Sequence, residues 1–390
     1  MPTQFDVVIA GGGLVGGALA LALAPSGLSV ALVEPQPPAP VPDDESWDSR
    51  IYSISPGAAT LLESCDVWQQ LPAQRVTRVE AMRIYGDDRI ARLDFNAYDA
   101  GLQQLAYVVE NRLLQAAIWR QLERADHVRI YSPGACAALA WEDSGVCLQL
   151  QGGGEITARL VVGADGSDSW VRTQAGIAAT PQPYGQLGVV ANFECSQPHR
   201  DTAYQWFLGR SVLALLPLTG DRVSLVWSTP EEHARELLSM TGRELSDQVA
   251  EASGYELGGF ETITPARGFP LKLQRVSRLI QRRVALVGDA AHNVHPLAGQ
   301  GVNLGFRDVR ELVRVLCQRG PNSDCGDYYL LRRYERARRE DIATMQLATD
   351  GLQKLFGAEP IWIGKLRNMG LNVVEHLPPL KNLLVQHAIA

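Results

Sequence analysis

Three glycines near the start of the chain have the spacing of a phosphate-binding turn. Gly11, Gly13 and Gly16 follow the apolar run at residues 7–10 and open a segment rich in Ala and Leu at residues 14–24. Gly11 permits a tight turn, Gly13 lets the backbone approach a pyrophosphate, and Gly16 lets the helix pack on the strand. The amide groups at the start of that helix favour negative charge. The pattern predicts a strand, turn and helix that bind a dinucleotide.

An acidic residue lies where the second strand of such a unit ends. Residues 28–33 are typical of a buried strand, and Glu34 follows them. In dinucleotide-binding folds a carboxylate at this position accepts hydrogen bonds from ribose hydroxyls and disfavours a 2′-phosphate. We therefore expect Glu34 to bind the ribose.

A second polar position follows a buried strand late in the chain. The apolar run at residues 284–288 ends in Gly288, and Asp289 comes next, where its carboxylate can accept hydrogen bonds from a polyol. A helix is predicted to begin at Gly301 or Val302 and to continue through residue 319. The N-terminus of such a helix can direct backbone amides at a developing negative charge.

Other chemistries are less well supported by the sequence. His292 and His295 suggest metal ligands, but no third ligand follows at a suitable spacing, so we expect no metal. The six cysteines contain no C-x-x-C pair, which favours reduced thiols in the cytosol. The chain has no G-x-S-x-G sequence, so a serine hydrolase of the nucleophile-elbow type is not indicated.

The composition limits the class of protein. The chain has 390 residues, of which 46% are hydrophobic and 20% charged, as is typical of a globular enzyme with two or three domains. A net charge of −7 and a pI near 5.6 argue against a nucleic-acid partner, since phosphate binding requires a basic surface. No apolar run has the length of a membrane-spanning helix.

The elements between the motifs indicate an α/β fold with a second, largely antiparallel sheet. Apolar positions from Leu113 to Leu122 predict a helix over residues 108–124. Short alternating strands are predicted at residues 187–193, 203–208, 212–216, 223–227 and 269–273. Large apolar side chains in these strands belong either to the core or to an apolar pocket. Our candidates for a substrate pocket are Trp206, Leu215 and Trp227.

Several motifs together resemble a known family. The early glycine turn, Gly163-Ala164-Asp165-Gly166 and the late segment from Gly288 to Gly305 are similar to single-component flavoprotein aromatic hydroxylases of the para-hydroxybenzoate hydroxylase fold. Within these, the chain most resembles the ubiquinone-biosynthesis hydroxylases of the UbiH, UbiF and VisC (UbiI) type. The match covers essentially the whole chain and includes Val109-Glu110-Asn111, Leu215-Leu216-Pro217-Leu218, Ser224-Leu225-Val226-Trp227 and Arg332-Arg333-Tyr334-Glu335.

The resemblance implies that two distant stretches of chain hold FAD. It gives the ADP half to the early glycines and Glu34, the pyrophosphate region to Asp165, the ribityl chain to Asp289, and the pyrimidine edge of the flavin to backbone groups late in the chain. In full, the implied cofactor residues are Gly11, Gly13, Gly16, Glu34, Arg50, Arg112, Asp165, Asp289, Gly301, Val302 and Asn303.

Two further residues receive implied roles in catalysis. Pro296 is expected against the flavin face, next to the substrate. His295 is a candidate base for phenol deprotonation, because histidine titrates close to neutral pH, or else a structural histidine.

The implied reaction is hydroxylation of the ring of a polyprenyl phenol or benzoquinol in ubiquinone biosynthesis, through a flavin C4a-hydroperoxide formed from reduced FAD and O2. The chain has no second nucleotide-binding glycine motif, in agreement with the family's lack of a separate NADPH domain, which leaves the electron donor open between NAD(P)H and a protein. Three alternatives stay open: an FAD hydroxylase of another aromatic metabolite, an FAD reductase or dehydrogenase, and a non-catalytic flavin-bearing scaffold of a biosynthetic complex.

We divide the chain into a Rossmann-like FAD-binding domain at residues 1–75, 106–180 and 276–325, an inserted substrate domain at 76–105 and 181–275, and C-terminal helices at 326–390. The last segment is apolar enough to contact the catalytic core, a second copy or a partner protein. For a polyprenyl substrate we expect a cytoplasmic protein with a peripheral contact to the inner face of the membrane or to a ubiquinone-biosynthesis complex.

Overall fold

The computed structural model describes residues 3–86, 91–142, 145–293, 301–320 and 323–357. Helices and strands are numbered in chain order. The helices are α1 (Leu14–Ala22), α2 (Pro56–Ser64), α3 (Asn111–Leu122), α4 (Trp170–Gln174), α5 (Glu231–Ser239), α6 (Gly242–Ala252), α7 (Gly301–Cys317) and α8 (Tyr328–Gly357).

The strands fall into three sheets. They are β1 (Thr3–Ala10), β2 (Val30–Val33), β3 (Ile51–Ile54), β4 (Val76–Val79), β5 (Ala81–Tyr85), β6 (Arg92–Asn96), β7 (Ala106–Glu110), β8 (Val128–Tyr131), β9 (Cys136–Trp141), β10 (Val146–Leu150), β11 (Glu155–Gly163), β12 (Ala179–Cys195), β13 (Thr202–Leu208), β14 (Ser211–Leu218), β15 (Arg222–Pro230), β16 (Phe260–Thr262), β17 (Arg267–Val276), β18 (Ile280–Gln281), β19 (Val284–Leu286) and β20 (His292–Asn293).

The first sheet carries the early glycine turn. Its order is β18-β19-β11-β1-β2-β8, with β10 and β9 continuing from β11. The strands around β1 run parallel, and Val7, Val8 and Ile9 are fully buried, as expected for a parallel strand that is covered on both faces. This is the Rossmann-like sheet that the sequence predicts, and the α/β fold is confirmed.

The second sheet has nine strands in the order β20-β17-β12-β15-β14-β13-β5-β6, with β16 beside β12. Its pairs are antiparallel except for β13 and β5, which run parallel. Helices α5 and α6 cover one face, where Leu237 and Val249 pack against Leu225 and its neighbours. The inserted, largely antiparallel sheet is confirmed.

A small antiparallel sheet of β3, β7 and β4 contacts both larger sheets. Successive residues of a strand point to opposite faces. Val109 of β7 accordingly packs in the core of the first sheet, while Val108 packs with Ala203 and Leu218 of the second. Because these two adjacent valines point to opposite faces of β7, the small sheet packs against both larger sheets.

The sheets divide the chain close to the expected domain boundaries, with two differences. Strand β4 belongs to the small sheet, although it falls within residues 76–105. Strand β20 pairs with β17 and so joins the second sheet, although it falls within residues 276–325. The division into domains stays a prediction.

The helix predicted over residues 108–124 begins later, at Asn111. Tyr107, Val108 and Val109 are instead part of β7, because β-branched and aromatic residues fit a strand that pairs on both sides. The predicted helical C-terminus is confirmed as far as α8, and residues 358–390 lie outside the described residues.

Helix α7 lies directly on the first turn of α1, and a glycine makes this approach possible. A Cβ on Gly305 would lie 2.6 Å from Cγ2 of Val15 and 3.3 Å from Cα of Gly288. A Cβ on Gly288 would lie 3.3 Å from Cγ1 of the same valine. Val15 is therefore held between two glycines that come from the late motif.

Replacing Gly305 by Ala should lower the free energy of unfolding by about 1–3 kcal/mol, because the added methyl overpacks this contact. Thermal and urea unfolding of the variant measure the change. Gly259→Ala is the matched control, since the nearest atom to a Cβ there is 4.0 Å away. Equal stability of both variants would contradict the close packing described for Val15.

Candidate functional site

The turn between β1 and α1 has the backbone that its glycines predict. Gly11 has a φ of +106°, and a Cβ there would lie 2.3 Å from the carbonyl oxygen of Ala164. A Cβ on Gly16 would lie 1.9 Å from the carbonyl oxygen of Gly11, so α1 can approach β1 only at a glycine. A Cβ on Gly13, in contrast, would meet no atom within 4 Å in the part of the chain that the structure describes. The open side of Gly13 leaves room for a ligand.

Glu34 follows β2 directly, and its half-buried carboxylate faces the same turn. Oε2 accepts a 2.6 Å hydrogen bond from the N–H of Gly12, and Oε1 accepts a 3.0 Å bond from the N–H of Gln36. An ionised carboxylate offers about four acceptor positions. Lone pairs therefore remain for the hydroxyls of a ribose.

Asp165 lies in the turn after β11 and holds the start of α4. Its Oδ1 accepts a 2.5 Å bond from the hydroxyl of Ser169, and its Oδ2 accepts a 3.0 Å bond from the N–H of Val171. The preceding residue, Ala164, is the one whose carbonyl lies against Gly11. Asp165 therefore helps to hold the backbone at Ala164, which contacts the glycine turn after β1.

Asp289 lies in a short 3-10 turn at Gly288–Ala290, and the φ of +60° at Gly288 is one that glycine adopts without strain. The Asp289 side chain is open to solvent. The surrounding protein removes part of the water around the carboxyl group and so raises the pKa of Asp289, while the charges of His292 and Arg50 lower it. The carboxylate is thus recessed yet reachable, as a ligand for sugar-like hydroxyls must be.

A fully buried carboxylate holds this turn in place. Oδ2 of Asp308 accepts a 2.9 Å bond from the N–H of Gly288 and a 2.6 Å bond from Nε2 of His292, while Oδ1 accepts a 2.7 Å bond from Nε of Arg338. Burial alone raises the pKa of Asp308, but His292 and Arg338 outweigh it and hold the pKa below its usual range. Asp308 therefore stays ionised and fixes both ends of the turn that carries Asp289.

Helix α7 begins at Gly301, as the sequence predicts to within one residue. Among the described residues, no atom lies within 4 Å of a Cβ built on Gly301. The side chain of Asn303 is held by the backbone: its Oδ1 accepts a 2.9 Å bond from the N–H of Ser55, and its Nδ2 donates a 2.9 Å bond to the carbonyl of Ser53. Asn303 thus anchors α7 to the end of β3. His295 and Pro296 lie outside the described residues.

Arg50 lies in the segment that leads into β3, on the side of Asp289. Its guanidinium carbon is 5.3 Å from the centre of the Tyr52 ring. Burial raises the pKa of Tyr52, and Asp289 adds to this shift while Arg50 reduces it. Arg50 and Tyr52 are thus in contact, and the charge of Asp289 acts on the same tyrosine.

Arg112 is held by a neighbouring buried acid. Its Nε donates a 3.2 Å bond to Oε2 of Glu110, and its Nη1 donates a 3.1 Å bond to the hydroxyl of Ser46. Arg75 forms a second ion pair with the same Glu110 at 2.6 Å. The N–H of Asp48 also donates a 2.8 Å bond to Glu110. Arg112 therefore helps to fix the loop before Arg50, and its guanidinium is already engaged by protein groups.

The three residues predicted to line a substrate pocket lie on the helix-covered face of the second sheet. Trp206, Leu215 and Trp227 are buried in the cluster that packs against α5 and α6. Strand alternation directs these large apolar side chains to the core beneath α5 and α6, which favours the first of the two alternatives given for them, a place in the core. Their role in a substrate pocket stays a prediction.

The opposite face of the same sheet looks towards the first sheet. Val190 pairs with Val226, which pairs with Ala214, and all three side chains are partly accessible. One step along the sheet, Asn192 donates a 2.8 Å bond from Nδ2 to the carbonyl of Asp48. Val190, Ala214 and Val226 form an apolar surface, which we refer to as the aliphatic floor. Through Asn192 and Asp48, the sheet that carries it contacts the loop before Arg50.

The sequence reasoning missed two residues that shape the site. Asp308 lies four residues from both Leu304 and Leu312 in the buried stripe of α7, and an acid in an apolar stripe is a readable signal of a buried partner. Gln274 of β17 donates bonds to the carbonyls of Ser167 and Asp289, at 3.1 and 3.4 Å. Nothing in the local pattern of β17 marks that residue.

Within the described ranges, no group of three or more His, Cys, Asp or Glu side chains is arranged to hold a metal ion. In the same part of the chain, no helix combines the length and apolar character needed to cross a bilayer.

The chain belongs to the family described as the FAD binding domain, whose model matches residues 4–347. The matched region includes both glycine motifs and the whole second sheet. It extends into α8, where Arg338 contacts Asp308.

Among curated relatives, the chain is 37% identical over 385 residues to the 3-demethoxyubiquinol 3-hydroxylase of Escherichia coli, covering 98% of each chain. It is 36% identical to the ubiquinone hydroxylase UbiL of Rhodospirillum rubrum, covering 98% of this chain and 89% of that protein. Among solved structures, PqsL of Pseudomonas aeruginosa, described as a probable FAD-dependent monooxygenase, superimposes with a TM-score of 0.78 at 22% identity and covers 95% of this chain and 100% of its own. The last comparison shows a shared fold.

Gly13→Ala tests whether the open side of this glycine faces a cofactor. The methyl meets no protein atom, so the unfolding temperature of the apoprotein should stay unchanged, while the Kd for FAD should rise about tenfold to 100-fold because the methyl occupies the ligand's space. Flavin fluorescence titration measures the Kd. Gly16→Ala is the contrast, since its methyl would overlap the carbonyl oxygen of Gly11 and destabilise the apoprotein itself. Wild-type FAD affinity in Gly13→Ala would contradict the assignment.

Proposed function

We propose that the protein is an FAD-dependent monooxygenase that hydroxylates the aromatic ring of a polyprenyl phenol or benzoquinol intermediate in ubiquinone biosynthesis. Membership of the FAD binding domain family and the hydroxylases among its relatives support this proposal. NAD(P)H or a protein supplies the electrons, and O2 supplies the oxygen atom.

The observation that carries the proposal is the meeting of two distant glycine motifs at Val15. The contacts of this residue with Gly288 and Gly305 bring the open phosphate turn and the recessed Asp289 carboxylate to one place. A dinucleotide with a polyol chain needs these two features next to each other. The open side of Gly13 accommodates the pyrophosphate, and Asp289 accepts hydrogen bonds from the ribityl hydroxyls.

Bound FAD supplies two-electron chemistry and the activation of O2, and the chain's residues supply position and charge. The first residues of α7, from Gly301, would offer backbone amides and the positive end of the helix dipole to the flavin's pyrimidine edge, where FAD would acquire negative charge on reduction. Arg50 contributes a second positive charge on the same side. Asp165, Asn303 and Arg112 act indirectly by fixing the backbone around the cofactor.

The aliphatic floor is our candidate for the surface that receives the ring of the substrate. Val190, Ala214 and Val226 present hydrocarbon to the space beside the loop that carries Arg50. An apolar floor would exclude water from the reacting groups and so limit side reactions. His295 and Pro296 stay candidates for the base and for the residue against the flavin face. Homo-oligomer formation and a peripheral contact of the cytoplasmic protein with the membrane remain part of the proposal.

Turnover under 18O2 tests the reaction. With FAD, an electron donor and a short-chain polyprenyl phenol, we expect one 18O atom in each hydroxylated product, measured by mass spectrometry. Oxidised substrate without 18O would identify a dehydrogenase, and yellow protein without turnover would identify a scaffold. Either result would contradict the proposed monooxygenase.

A pair of neighbouring substitutions tests the position of the substrate. Val226→Phe adds bulk to the aliphatic floor. The KM for the phenol should therefore rise about tenfold or more by steric exclusion, with an unchanged Kd for FAD. Trp227→Phe, one residue away on the helix-covered face, should lower the unfolding temperature and leave KM unchanged. The opposite pattern would place the substrate against α5 and α6.

A further inference from the structure

The peptide between Gly12 and Gly13 is held from outside the glycine turn. The indole Nε1 of Trp119, on α3, donates a 2.8 Å hydrogen bond to the carbonyl oxygen of Gly12. The ring is almost fully buried, and a Cβ on Gly12 would lie 3.0 Å from its Cζ2 atom. Helix α3 cannot shift easily relative to α1, because a Cβ on Gly17 would lie only 2.5 Å from Cγ2 of Ile118. The position of the indole is therefore fixed by packing.

This hydrogen bond decides where the next amide points. In a planar trans peptide the C=O and the following N–H point in opposite directions. A Gly12 carbonyl that faces Trp119 therefore directs the N–H of Gly13 away from α3. At the same residue, a Cβ on Gly13 would meet no atom of the described residues within 4 Å, so there is space beside this peptide. The N–H of Gly12 itself is already taken by Glu34. Within the part of the chain that the structure describes, no recorded bond occupies the Gly13 N–H.

We propose that Trp119 is a positioning residue for the pyrophosphate of FAD. Its indole N–H locks the Gly12–Gly13 peptide in the orientation that presents the Gly13 amide to a phosphate oxygen. Without the donor, the buried Gly12 carbonyl loses its partner and the peptide gains the freedom to rotate. The proposal rests on FAD occupying the cleft as in the proposed function, and it names a contribution from α3 that the glycine pattern does not contain.

Trp119→Phe removes the donor and keeps an aromatic ring in the packing. We expect the Kd for FAD to rise about tenfold, which corresponds to about 1.4 kcal/mol. Trp141→Phe is the matched control, because Nε1 of Trp141 also donates to a backbone carbonyl, that of Arg282, far from the turn. Its Kd for FAD should equal that of the wild type.

A spectroscopic measurement separates positioning from general loosening. In Trp119→Phe saturated with FAD, the 31P signals of the bound pyrophosphate should shift relative to wild type, while the visible flavin spectrum stays the same. Replacement of Trp119 by 3-benzothienylalanine, which keeps the bicyclic shape without the N–H, should reproduce both effects and serves if the Phe variant does not fold.

The outcomes distinguish this inference from the proposed function. A wild-type protein that binds no FAD would overturn the proposed function. A wild-type protein that binds FAD, with variants whose Kd lies within about twofold of it, would overturn only the role of Trp119. A weaker Kd with unchanged 31P signals would assign Trp119 to folding alone and would equally overturn the proposal.

Discussion

The close contact between α1 and α7 is the constraint on which the rest of the site depends. Val15, in the first turn of α1, lies against Gly288 and Gly305, which are separated from it by most of the chain. Because neither glycine has a side chain, the two backbones approach closely enough for one ligand to touch both. In the parallel sheet, β1 and β19 lie on either side of β11, which fixes the positions of the two strand ends relative to each other. The contact between α1 and α7 then fixes the distance between the two helices.

Charge buried behind the turn completes this arrangement. Asp308 is shielded from solvent and is satisfied by a backbone amide, a histidine and an arginine. Removing one partner of such a group costs several kcal/mol, because an uncompensated charge stays in the interior. Through this network, α8 helps to hold the turn that carries Asp289 in place. Arg338 brings this helix to the site even though no residue of α8 belongs to the glycine motifs.

The sequence predicted the parts of the fold and site that depend on short-range patterns. The backbone at Gly11, Gly16 and Gly288 follows from spacing and from the residue type, since only glycine fits these positions. The sequence did not decide which face of the second sheet is open, because Trp227 and Val226 are both apolar and periodicity alone does not say which face is covered by α5 and α6. Trp119 was missed because its partner Gly12 lies far away in the sequence. Asp308 was missed although its place in the apolar stripe of α7 is a readable signal.

Strand β20 comes directly after the turn that carries Asp289, and it pairs with β17 at the edge of the second sheet. Gln274 of β17 ties the same turn to Ser167 beside the first sheet. The segment from Asp289 to β20 is thus connected to both the first and the second sheet. A rotation of the nine-stranded sheet would therefore move the turn that carries Asp289 with it, because pairing and side-chain hydrogen bonds connect the two.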